Sequence, residues 1–166
     1  SFTKANRLMI DVICELLQIA PVHIVYNPSN HDYMSGFMLA HSLQNYFHNA
    51  TGITFQVDMS HRKYYHYHNN IIGTTHGDGA KTNDLALLMA HEAKCWQEAE
   101  RRYFYTHHEH RKKGQDIMSV TIETLRSPSG TDSWHHRNGY QHAPKAVEGF
   151  LHHKQYGQRA RFTHLF

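Results

Sequence analysis

The sequence predicts a layered domain of the α/β or α+β class. Helical and strand-like apolar periods alternate through the first part of the chain, and the later part reads mostly as β. Three times, an apolar strand runs straight into a polar loop containing histidine, and ligands in layered sheets gather at such strand ends.

Thr3 is placed to cap a helix reaching about Ala20, because Leu8, Val12, Glu15/Leu16 and Ile19 recur at three-to-four spacing with charges between them. Pro21 stops it. Val22 to Tyr26 is apolar at several successive positions, as in a strand covered on both faces, and it ends in the loop Asn27 to Asp32. Helical spacing returns from Tyr33 to Phe47 through Phe37, Leu39 and Leu43. Ile53–Val57, Tyr64–His68 and Asn70–Thr74 read as short strands, and the last leads into the loop Thr75-His76-Gly77-Asp78-Gly79. A helix capped by Thr82 or Asn83 is expected to run through Leu85, Leu88, Met89 and Trp96 to about Arg102. Tyr103–Thr106 is strand-like and opens into His107-His108-Glu109-His110. Beyond it come an alternating strand near Ile117–Leu125, a Ser/Gly/Asp loop at 127–139, a short helix near 143–149, and closing strands around 149–155 and 159–165. Neither an internal repeat nor a low-complexity tract is present.

Length and composition agree with one ordinary core. The chain has 166 residues, 40% hydrophobic and 19% charged, far from the composition of disordered proteins. The longest apolar stretch, Leu8 to Ile19, is broken by Asp11 and Glu15 and is too short to span a bilayer. Residues 1–30 lack the basic start and unbroken apolar run of a secretory signal. The cysteines, Cys14 and Cys95, have no paired spacing, so a reducing cytoplasm is the expected setting. The chain opens on Ser1 with helix-like residues almost at once, and an upstream segment is expected to have been removed.

The eighteen histidines are the unusual number, against a formal charge of +3 with histidine neutral. Histidine is a frequent ligand of transition metals, so the excess points toward a metal site. In an extended segment His108 and His110 project to one side and can reach a common ion or two neighbouring ones. His76 stands among small residues, where backbone can approach a metal closely, with Gly77 and Gly79 permitting crowded geometry. Asn30-His31-Asp32 offers an amide oxygen, an imidazole suited to protonating a leaving oxygen, and a carboxylate able to fix that imidazole's tautomer. The alternative for each loop alone is a solvated polar turn. The run His110-Arg111-Lys112-Lys113 either tracks a nucleic-acid backbone or, more commonly, is a solvated turn between strands. Tyr64-Tyr65-His66-Tyr67 reads first as cross-strand packing and second as a stacking surface for bases.

Taken together, the three loops resemble the later motifs of calcineurin-like metallophosphoesterases. Pro28-Ser29-Asn30-His31-Asp32 is similar to the Gly-Asn-His-Asp/Glu motif, Thr75-His76-Gly77-Asp78 to the lone histidine after a strand, and His107-His108-Glu109-His110 to Gly-His-x-His. Ser127 to His135 looks like a loop of phage and bacterial members, including relatives of DNA repair exonucleases. Ser29 and His107 stand where the family carries glycine, and no Asp-x-His or Gly-Asp motif precedes residue 30. The resemblance therefore implies the C-terminal half of a four-layer αββα sandwich, with half of a two-metal site. It implies Asn30, His76 and His108 on one metal and His110 helping to hold the other, the ions being manganese, zinc, iron or nickel. His31 would act on the phosphate with Asp32 orienting it. Apart from the resemblance, Asp132 and His135 beside Trp134 read either as substrate contacts near the metal loop or, equally, as a turn capped by Asp132 with Trp134 covering the core. The implied chemistry is hydrolysis of phosphate esters, DNA among them, by a metal-activated hydroxide. This chain alone is expected to be inactive and to need a companion N-terminal segment or a second copy. The alternative is a non-catalytic metal-binding or assembly protein derived from the same family.

Overall fold

A computed structural model describes residues 1–130 and 144–166 and is mixed α and β. Asp132, Trp134 and His135 lie outside the described residues. The chain divides into two units, Ser1–Lys63 and Tyr64–Phe166. Among the described residues, no helix is long and apolar enough to cross a membrane.

The first unit contains α1 (Phe2–Leu17), β1 (Val22–Val25), α2 (Tyr33–Tyr46) and β2 (Ile53–Gln56). β1 and β2 pair in parallel with Val22 opposite Ile53, and α2 is the crossover that a parallel pair requires. Ile13, Leu43 and Phe47 form the buried centre, with Met9, Leu17, Ile24 and Phe55 packed around it. The apolar spacing of α1 is therefore double. Met9, Ile13 and Leu17 face this core, while Leu8, Val12, Leu16 and Ile19, the series most legible in the sequence, remain exposed. Lys63 is nearly fully buried and closes the loop after β2, donating to the carbonyls of Asp58 at 3.2 Å and Ser60 at 2.6 Å. Burial pushes its pKa down, and the Asp58 carboxylate opposes that shift.

The second unit is organised by a five-stranded sheet of β3 (Arg62–Tyr67), β4 (Asn70–Thr75), β5 (Arg101–Thr106), β6 (Lys113–Ile117) and β7 (Val120–Thr124), in the order β3-β4-β5-β7-β6. β4, β5 and β7 run parallel, and β6 is antiparallel to β7. One face is covered by α3 (Leu85–Glu92), whose Leu85, Ala86 and Met89 pack with Ile71, Phe104 and Ile122. On the other face, β8 (Ala146–His153) and β9 (Gly157–Leu165) form an antiparallel hairpin with a bulge at Leu151/His152. Phe150 stacks on Tyr105 with ring centroids 4.5 Å apart, and the Tyr105 hydroxyl donates to Gln158 Oε1 at 3.0 Å. Gly157, at φ +80, cannot carry a side chain: a Cβ there would lie 2.2 Å from the Tyr103 hydroxyl, which accepts the Gln158 N–H. Buried Glu148 binds Arg126 at 3.1 Å and Arg161 at 2.6 Å, and Arg161 also binds Glu123.

Three sequence expectations are corrected. The helix expected to reach Arg102 ends at Glu92, because Ala93 turns to extended backbone. A 3₁₀ turn at Trp96–Glu98 follows, held by the Arg102 guanidinium 3.9 Å over the Trp96 ring. The single strand expected near Ile117–Leu125 is a hairpin, because Met118 adopts φ 53 and reverses the chain with Ser119 between β6 and β7. The helix expected near 143–149 is instead the start of β8, where Ala146 is fully buried and pairs with Leu165.

Candidate metal-binding site

The parallel strands β4 and β5 set the site. Their register places Thr74 opposite Tyr105, so the residues that follow, His76 and His107 to His110, leave the sheet side by side at its carboxyl edge. The His76 carbonyl accepts two backbone N–H groups, from His107 at 2.9 Å and His108 at 2.8 Å, which carries the strand pairing into the loops. His108 Nδ1 lies 3.2 Å from His76 Nε2, with ring centroids 5.1 Å apart and planes at 75°. One imidazole carries the shared proton when the pair is hydrogen-bonded. His76 is buried at 8% exposure, and His108 is half-buried.

Gly77 makes this approach possible. It adopts φ +103, and a Cβ there would lie 3.1 Å from Thr106 Cβ and 3.6 Å from His108 Cβ. Beneath it, the Thr106 and Thr124 hydroxyls share a buried hydrogen bond of 3.0 Å.

The His107–His110 loop is a turn and not the extended segment expected for it. His110 has φ 51, and its N–H donates to the His107 carbonyl at 3.1 Å. A turn cancels the two-residue periodicity, so His108 is directed to His76 by the turn and not by alternation with His110. His107, which the sequence offered only as a replacement for glycine, is half-buried. Its pKa is lowered to about 4, by burial first and then by His76 and His110. His107 is therefore neutral near pH 7, and a neutral imidazole is the form that accepts a hydrogen bond or binds a metal. Nothing in a run of three histidines within four residues distinguishes the one whose pKa is depressed.

Asn30, His31 and Asp32 lie in the first unit, on the loop between β1 and α2, and all three side chains are exposed. The loop is organised at its base. Pro28 is fully buried, the Tyr26 hydroxyl donates to the Tyr33 carbonyl at 2.9 Å, and the His31 N–H donates to Ser29 Oγ at 3.2 Å. Ser29 thus supplies a hydrogen bond that glycine would lack. Asp32 occupies the N-cap position of α2, and its carbonyl accepts the Gly36 N–H at 2.6 Å. The Tyr26 pKa is raised by burial and then by the Asp32 carboxylate.

The structure thus brings His76 and His108 together and places His107 and His110 in the same turn. No family model, curated protein or solved structure matches the chain.

Proposed function

We propose that this chain is the metal-binding C-terminal half of a metallophosphoesterase of four-layer αββα type, whose complete form hydrolyses phosphodiesters such as DNA. The observation that carries the reading is the 3.2 Å separation of His108 Nδ1 and His76 Nε2 at the carboxyl edge of a parallel sheet. Two imidazole nitrogens bound about 2.0–2.1 Å from one tetrahedral ion stand roughly 3.3 Å apart, so this donor pair fits a divalent cation with little movement. Gly77 and the doubly bonded His76 carbonyl hold both rings before any ion arrives.

A divalent cation would supply charge neutralisation at phosphorus and a lowered water pKa. In the second unit, His76 and His108 would hold it and His110 would serve the second ion. Asn30, His31 and Asp32, in the first unit, keep the roles that the resemblance implies for them. Asp-x-His and Gly-Asp motifs do not occur before residue 30, so the bridging carboxylate must come from a companion segment or another chain.

Calorimetric titration with zinc or manganese tests the donor pair. The native chain binds and His108→Ala does not; equal binding by both sinks the assignment. Hydrolysis of bis(p-nitrophenyl) phosphate with manganese, by the chain joined to a segment carrying both missing motifs, tests the activity. Metal binding without cleavage in that joined protein favours the non-catalytic, assembly-type reading.

A further inference from the structure

We propose that Lys112 and Lys113 form a track for the phosphate backbone of a single-stranded nucleic acid, running along the sheet rim away from the His76/His108 pair. The inference rests on the phosphodiesterase reading for its choice of ligand, and it stands on separate residues.

Topology puts the lysines on the same rim as the histidines. β4, β5 and β7 end there, and antiparallel β6 begins there. Thr124 of β7 is opposite Thr106, which immediately precedes His107, and is also opposite Lys113 on its other side. Lys113 is therefore two strand spacings from the start of the histidine loop, roughly 10 Å at about 4.8 Å per spacing. A lysine side chain from that position reaches a neighbouring phosphate of a strand whose reacting phosphate lies at the histidines.

The charge balance of the rim favours an anion. Glu109 is taken up by Arg111, with Nε to Oε2 at 2.6 Å. Glu123 and Glu148 are taken up by Arg161 and Arg126. Lys112 and Lys113 are exposed, and among the described residues neither has an ion pair. Among the described residues, Asp78 and the Arg111-paired Glu109 are the exposed carboxylates of the two histidine loops, where a cation and not a phosphate strand would meet them. A solvated turn needs no such segregation. The left-handed turn at His110 redirects the chain so that the lysines follow the histidines along the edge.

The test is fluorescence anisotropy of a labelled oligothymidylate with the full chain in EDTA, over a range of potassium chloride concentrations. Replacing both lysines (Lys112→Ala with Lys113→Ala) should reduce the slope of log K against log salt by about 1.4, from two lost contacts at about 0.7 each on a single strand. The matched charge loss Lys4→Ala with Arg7→Ala, exposed on α1, should leave the slope unchanged. Thermal melts of both variants check that folding is intact. The proposal is overturned if the native chain does not bind the oligonucleotide, if the lysine variant keeps the native slope, or if the α1 variant loses as much. Calorimetric zinc titration of the lysine double variant without EDTA reads the His76/His108 pair separately from the oligonucleotide slope, so failure of the metal assignment is distinguishable from failure of the track.

Discussion

The two histidine-bearing strand ends are built differently. In the first unit, the loop after β1 is anchored at Pro28 and Tyr26 but leaves Asn30, His31 and Asp32 exposed. In the second, β4 and β5 continue their pairing past the sheet, and His76, His107 and His108 emerge already constrained by backbone hydrogen bonds. The cores differ in the same sense. Among the described residues, three buried ones centre the first unit, while nine fill the second around Phe104. A donor pair held by a full core and by backbone bonds has little ordering entropy left to lose on binding, whereas an exposed loop must lose it.

Substitution in the two cores should give the largest contrast. Phe104→Ala is expected to cost about 4–5 kcal/mol and Phe47→Ala about 3 kcal/mol in urea unfolding, the buried aromatic range divided by how fully each ring is enclosed. Equal costs would remove the energetic half of the comparison.

Acid should act on the second unit through His107. Its folded pKa of about 4 lies below its ordinary 6.5, so between these values the unfolded chain binds a proton that the folded chain does not. Stability is therefore full above pH 6.5 and falls as pH drops toward 4, by at most about 3 kcal/mol from this group. His107→Gln should flatten that part of the pH profile of urea midpoints. A variant profile parallel to the native one would move the effect to another residue.

Metal affinity sharpens the contrast between the loops. His76→Ala should weaken zinc binding on the order of 100-fold or more, since even partners one step removed from a metal contribute 10–100-fold. Calorimetry showing native zinc affinity in that variant would remove His76 from the site.

The smallest effect is at the glycines after His76. Gly77→Ala meets Thr106 at 3.1 Å in a left-handed conformation and should cost about 1–2 kcal/mol. Gly79→Ala has nothing within 4 Å and should stay within about 0.5 kcal/mol of the native protein by thermal denaturation.

Much of the layout was legible because apolar periodicity and turn residues act locally. β1, α2, β2 and β4 fall within a residue or two of the segments read from spacing alone. The misread segments are those where distant contacts overrode a local pattern. Ala146 to Gly149 is helix-compatible by itself, yet it pairs with β9, and the adjoining Phe150 stacks on Tyr105. Ile117 to Leu125 alternates as one strand would, but Met118 takes a left-handed turn that lets β6 cover the edge of β7.

The amino-acid order by itself determined that histidines follow apolar strands, that glycine sits beside His76, and that three loops occur in a particular sequence. Only the tertiary structure decided that His108 meets His76, that His107 is held neutral, and that Leu8, Val12 and Leu16 face outward. The reason is physical. Periodicity encodes which residues share a face, while strand register, turn handedness and burial depend on partners far along the chain, and these set which nitrogen stands 3.2 Å from which.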